Sequence, residues 1–240
     1  MARGYLPLLL FLASLWGASY MFIKVAVAEI EPTTMTALRL LLAASILLAV
    51  LAARSGVRRA AEDVRRTGAG GVLLGLVNGA IPFTLIAWGE KHIDSGIAAI
   101  ANSTVPIFVA LLAIRFVPSE RVRGARLLGV LLGLVGVGVL VGVRPEGGWW
   151  AAAGTLAVVV ASLSYACANL FSQHRFSHES PLVVATAATL YGGLALLPLG
   201  LLQLPVDLPS FKALGSVAAL GILGTAVAAL VLYHMLATFG

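Results

Sequence analysis

The chain of 240 residues is 60% hydrophobic and only 11% charged, with a mean hydropathy of +1.01, whereas charged residues make up roughly a quarter of soluble domains. That balance excludes a soluble globular domain and indicates a polytopic membrane protein. The excess of 16 Lys and Arg over 10 Asp and Glu would suit nucleic acid in a soluble chain, but in a membrane chain basic residues mark cytoplasmic loops.

Apolar runs long enough to cross a bilayer, about 17–25 residues each, predict eight transmembrane helices, at 5–28, 33–53, 69–90, 95–117, 124–143, 149–172, 180–202 and 213–237. The first is too long for a signal peptide and has no cleavage site of the A-x-A kind. Arg3, Arg175 and the arginines of 54–66 and 115–126 fall on one side, against Lys24, Lys91, Arg144 and Lys212 on the other. The positive-inside rule therefore predicts a cytoplasmic N-terminus, for a chain expected in a plasma (inner) membrane, and it accounts for the basicity without nucleic acid.

The first helix carries Trp16, Gly17, Ser19 and Tyr20 in mid-span. Their broad rings and hydroxyls suit either a substrate cavity or helix packing. In the second helix, Arg39 lies six residues, about 9 Å, from the outer end. It is expected to snorkel outward or to pair with Glu29 or Glu31, with an anion-binding role as the alternative. Lys24 reads as an interfacial anchor. The third helix has Gly71, Gly75 and Gly79 at a packing spacing, then Asn78 and Pro82. The fourth places Asn102, Ser103 and Thr104 together, with Pro106 freeing the carbonyl of Asn102, so that these groups must face a cavity or a neighbouring helix.

Gly129, Gly133, Gly138 and Gly142 give the fifth helix two GxxxG pairs, a contact face within the fold or between the protomers of a homodimer. The sixth contributes Ser162, Ser164, Tyr165 and Asn169, and the eighth Thr225, Tyr233 and His234. Trp16, Ser19, Tyr20, Asn78, Asn102, Ser103, Ser164, Tyr165, Asn169 and Tyr233 are the candidate substrate-binding residues. Cys167 stands alone in an apolar helix, and His174 and His178 have only Glu179 nearby, too few ligands for a metal. Phosphate-binding loops, HExxH and GxSxG are all missing, so no cofactor, metal or catalytic residue is expected and any driving force is a gradient. The acidic residues map to loops and helix ends, which speaks against a carboxylate proton relay.

The chain also repeats weakly on itself at an offset near 147. LASLWGASYMFI (12–23) lies over VASLSYACANLF (160–171), and LGLVNGA (74–80) over LGILGTA (220–226). An odd number of helices fits within that offset, so the second copy enters the membrane from the other side. Such inverted repeats place substrate near the midplane between the halves. By this register helices 1 and 6 should face one another across the pseudo-symmetry axis.

LASLWGASYMFIK, PTTMTALRLLLAA, HIDSGIAAIANSTVPIFVALLA, SERVRGARLLGVLLGLVGVGVLV and GILGTAVAALVLYHMLATFG together resemble the EamA-type permeases of the drug/metabolite transporter superfamily. The resemblance implies an all-α inverted-repeat transporter fold of ten helices with both termini cytoplasmic. Eight of the ten are expected here. Residues 1–143 form the first five-helix unit, and 144–240 the second, incomplete with three. It also implies a permease or exporter that moves small metabolites, amino-acid-like or related, by alternating access, in contact with lipid and a small-molecule substrate. The competing readings are a truncated or non-transporting subunit that needs a partner chain and, disfavoured by the lack of an acid/base pair, a membrane-embedded enzyme.

Overall fold

A computed structural model of the chain describes residues 2–116 and 148–239, with isolated helical positions at 129, 132, 133, 135, 136 and 139. The predicted helix over 124–143 otherwise lies outside the described residues, Gly138 and Gly142 included. Among the described residues the regular structure is entirely helical. The elements are α1 (Ala2–Ala26), α2 (Pro32–Ser55), α3 (Val57–Arg66), α4 (Gly68–Gly75), α5 (Ile81–His92), α6 (Ser95–Asn102) and α7 (Val105–Phe116), followed by α8 (Gly148–Arg175), α9 (Pro181–Leu202), α10 (Phe211–Gly221) and α11 (Ala228–Phe239). Single π-helical turns, Leu76–Ala80 and Ile222–Val227, join α4 to α5 and α10 to α11.

Seven helices among the described residues are long and apolar enough to span a membrane. They coincide with seven of the predicted spans. Proline opens α2 and α9 at the first helical position, where its missing N–H costs nothing. Ser210 caps α10, its side chain accepting from Ala213 N at 3.2 Å. Gly56, with φ +86°, breaks α2 from α3 in a backbone conformation that disfavours side chains. The stretch after it, read from sequence as a loop, is a helix. Ala60 and Val64 pack inward on Leu47, Leu51, Leu182 and Val183, while Arg58 and Glu62 pair in solvent at 2.9 Å. The fourth span also breaks where Ser103 and Thr104 form a turn ahead of Pro106.

Glycines let the helix backbones touch. A Cβ on Gly75 of α4 would sit 2.7 Å from Ala188 O and Gly192 N of α9, and one on Gly89 of α5 would sit 2.8 Å from Gly154 O of α8. The principal contacts are α2 along α9, α5 on α8, and α1 on α10 and α11. The repeat offset carries α1 onto α8, α2 onto α9, and α4–α5 onto α10–α11. The α2–α9 contact thus joins matched helices, and the other two contacts exchange with one another. Leu76 maps to Ile222 at an offset of 146, so the π turns occupy the matched LGLVNGA and LGILGTA segments. The matched helices in direct contact are α2 and α9.

Two apolar clusters fill the bundle. One joins Ile23, Ile30, Met35, Ile93, Ala151, Val158, Ala213 and Leu220 at the end away from the arginine-rich segment, here the far end. The other joins Ala43, Leu47 and Leu51 to α3 and α9. Arg39 falls on α2 between Met35 and Ala43, where neither cluster closes over the helix.

Candidate functional site

Arg39 is only 4% exposed. Its Nε donates to Thr225 Oγ1 at 2.9 Å, and its guanidinium carbon lies 3.9 Å from the centroid of the Phe83 ring, a cation–π arrangement. The Thr225 hydroxyl donates in turn to Leu220 O at 2.9 Å, five residues back, across the π turn. Tyr165 meets Phe83 edge to face at 6.2 Å between centroids, and Tyr165 and Tyr20 are the ionisable neighbours of Arg39. Side chains from α1, α2, α5, α8 and the second π turn therefore meet around one cation.

That arrangement corrects the expectation for Arg39. It neither snorkels nor pairs with Glu29 or Glu31, because its stem runs inward between α5 and the π turn, where Phe83 and Thr225 hold it. Glu29 instead accepts from Ser210 Oγ and N at 2.7 and 2.6 Å, which hold its carboxyl below the usual carboxylate range. Glu31 pairs with Lys91 at 2.9 Å. Among the described residues no carboxylate lies within salt-bridge distance of Arg39. A guanidinium has five N–H donors, and among the described residues only Nε has a protein partner. The terminal nitrogens have none among those residues, yet they are not fully enclosed.

A second polar arm adjoins the first. Tyr20 neighbours the Asn102 side chain, and Asn102 Oδ1 lies 3.1 Å from Ser162 Oγ. Ser164 Oγ donates to Val77 O at 2.7 Å, a carbonyl inside the first π turn, beside the half-buried Asn78. Ser19 is buried against the second π turn, since a Cβ on Gly224 would lie 2.7 Å from Ser19 Oγ and 3.8 Å from an Arg39 terminal nitrogen.

Ser19, Tyr20, Asn102, Ser164 and Tyr165 are thus brought together, with Asn78 at their margin. Four candidates are not. Trp16 is 46% exposed, Ser103 is exposed and bonded to Ile100 O, and Asn169 is exposed. Tyr233 packs at the arginine-rich end, 5.3 Å from the guanidinium of Arg54. The cavity of ≈ 250 Å³ between α2 and the loop at 204–209, lined by Thr34, Leu38, Leu204 and Asp207 among others, contains none of the cluster residues.

Phe83 and Glu90 were not singled out from sequence. A lone charge midway along an otherwise apolar helix was the available signal for Arg39. Its partner Thr225 lies 186 positions away, however, so no local spacing exposes the pair.

The model of the EamA-like transporter family matches residues 4–142 and 152–240. An uncharacterized transporter of Archaeoglobus fulgidus is 26% identical over 92% of this chain and 76% of its own length. The uncharacterized inner membrane transporter YedA of Escherichia coli K12 is 26% identical over 94% and 73%. A protein of Salmonella typhimurium named a probable amino-acid metabolite efflux pump is 28% identical over 73% of this chain and 55% of its own length. One solved crystal structure matches the fold with a TM-score of 0.67 at 22% identity, over 94% of this chain and 76% of that one. With the apolar spans and the matched segments together, the chain belongs to the EamA-like transporter family, as a multi-pass plasma-membrane protein.

Proposed function

We propose that the chain moves small carboxylate-bearing metabolites, amino acids among them, by alternating access, with Arg39 as the anchor for the carboxylate. The observation that carries this reading is a buried guanidinium with one N–H used by the protein and no carboxylate partner among the described residues. An unpaired charge at the centre of a bilayer costs about 2.5–3.5 kcal/mol. A planar carboxylate would take two of the free donors in parallel, which is chemistry that a purely structural arginine does not need.

In this reading the cavity lies between α1, α4–α5, α6–α7, α8 and α10–α11. Phe83, Tyr20 and Tyr165 offer apolar ring surface beside the charge, and Asn102 and Ser164 offer polar contacts. The two units are 1–143 and 144–240, related as an inverted repeat, and the coincident π turns support that relation. The arginine-rich end and the N-terminus are cytoplasmic, and transport runs outward, in line with the name of the Salmonella relative.

The far end is closed. Gly89 touches Gly154, Lys24 Nζ donates to Glu90 O and Ile93 O, Lys91 holds Glu31, and Thr34 Oγ1 donates to Gly200 O at 2.9 Å. These contacts are the ones alternating access has to break. Counterflow of a radiolabelled mixture of the proteinogenic amino acids into proteoliposomes tests the reading. Uptake above that of protein-free liposomes is the expected result, and equal uptake contradicts it.

A further inference from the structure

Glu90 closes α5 at the far end and is wholly buried, 0% exposed. Its Oε1 has no hydrogen-bond partner among the described residues. Its Oε2 lies 2.8 Å from Ser95 Oγ, which also lies 3.1 Å from the carbonyl oxygen of Tyr20. A serine hydroxyl carries one proton, and a carbonyl only accepts. When Ser95 donates to Tyr20 O, the contact between Glu90 and Ser95 is a hydrogen bond only if Oε2 carries a proton and donates it. The alternative, an ionised carboxylate taking the Ser95 proton, is open to Oε2, since Tyr20 O is already an acceptor within α1, but it strands a charged Oε1 in a buried site without a donor.

The charged neighbours do not supply the missing partner. On α1, Lys24 Nζ spends two of its donors on Glu90 O at 2.7 Å and Ile93 O at 2.8 Å, and not on the carboxyl oxygens. Tyr20, also on α1, makes no hydrogen bond to the Glu90 carboxyl oxygens. On α5 itself, Lys91 is held by Glu31, and His92 stacks on Trp150, with ring centroids 5.2 Å apart. Asp94, ahead of α6, is exposed. The facing stretch of α8, residues 151–158, has no titratable side chain.

We infer that Glu90 is a proton-binding site whose occupancy is linked to closure of the far end, an inference that rests on the transport reading for its consequence but not for its chemistry. With that end closed, as here, the carboxyl keeps its proton. When the end opens, the O–H bond of Oε2 breaks and the proton passes to water. Lys24, keeping all three of its protons, turns from the two carbonyls to the carboxylate. No other covalent bond changes. Protonation therefore favours the closed end, and transport slows as both faces are acidified.

Two measurements test this. The first, infrared difference spectroscopy across a pH titration of the purified protein, needs no substrate. The wild type should show a protonated-carboxyl C=O band that disappears as pH rises, Glu90→Gln should lack it, and Ser95→Ala, which keeps the carboxyl but removes its partner, should shift its frequency. The second is counterflow of the amino-acid mixture at equal pH on both faces. Wild-type flux should rise several-fold as pH is raised, whereas Glu90→Gln, a mimic of the protonated form, should stay flat near the acid limit of the wild type. A band that persists unchanged in Glu90→Gln, or a Glu90→Gln flux that follows the wild-type pH profile, overturns the inference. Failure of all counterflow while the band titrates as described removes the transport reading and leaves the proton site standing.

Discussion

Glu29 and Arg39 stand at opposite ends of one electrostatic contrast. Glu29 is on the surface with its carboxyl oxygens served by Ser210, whereas Arg39 is buried and served on one nitrogen only. The Ser210 hydroxyl and N–H bonds lower the pKa of Glu29 in the folded state from its ordinary 4.5. A group depressed in this way stabilises the fold above its unfolded value, and that contribution is lost as pH falls through the lower folded value. Glu29→Gln should therefore melt below the wild type near neutral pH, with the gap closing in acid, as read by thermal melts of the solubilised protein at about pH 7 and about pH 3. A gap that stays constant with pH would assign the effect to packing instead of charge.

At the scale of the helices, existence was legible and breakage was not. Hydropathy found the seven described spans because apolar length is the property a bilayer demands. It missed α3, whose apolar residues are only Val57, Ala60, Ala61 and Val64 among arginines and acids, too sparse for a span but enough for one buried stripe. Nor did it show the π turns. They lie on Asn78–Gly79 and Gly224–Thr225, poor helix formers that become informative only when the matched segments are superposed. Glycine spacing did point to contact faces, and the structure separates the glycines that need their missing side chain from those that do not. Gly75→Ala places a Cβ 2.7 Å from the α9 backbone and should cost about 1–3 kcal/mol as overpacking. Gly17→Ala meets nothing within 4 Å and should stay within about 0.5 kcal/mol of the wild type. Melting both variants in parallel checks the distinction, and equal losses would contradict it.

For the whole molecule, the two short matches superpose α1 on α8 and α4–α5 on α10–α11, so that the α5–α8 contact and the α1–α11 contact correspond. The site was legible in part. Tyr20, Asn102, Ser164 and Tyr165 stood out as polar groups in apolar helices, a costly placement that implies a partner or a cavity. What a linear reading could not supply was the convergence, because Arg39, Phe83, Tyr165 and Thr225 come from four different helical segments and meet only after α2 packs between the halves.

The central claim is that the free donors of Arg39 await a carboxylate, and the most direct test compares amino acids with their carboxamides as competitors in counterflow, for the wild type and Arg39→Gln. A hydrogen bond to a charged group contributes about 1.5–3 kcal/mol, so the acids should compete about ten- to a hundred-fold better than the amides in the wild type. That advantage should vanish in Arg39→Gln. Amides competing as well as acids in the wild type, or an advantage that survives loss of the guanidinium, would contradict the account.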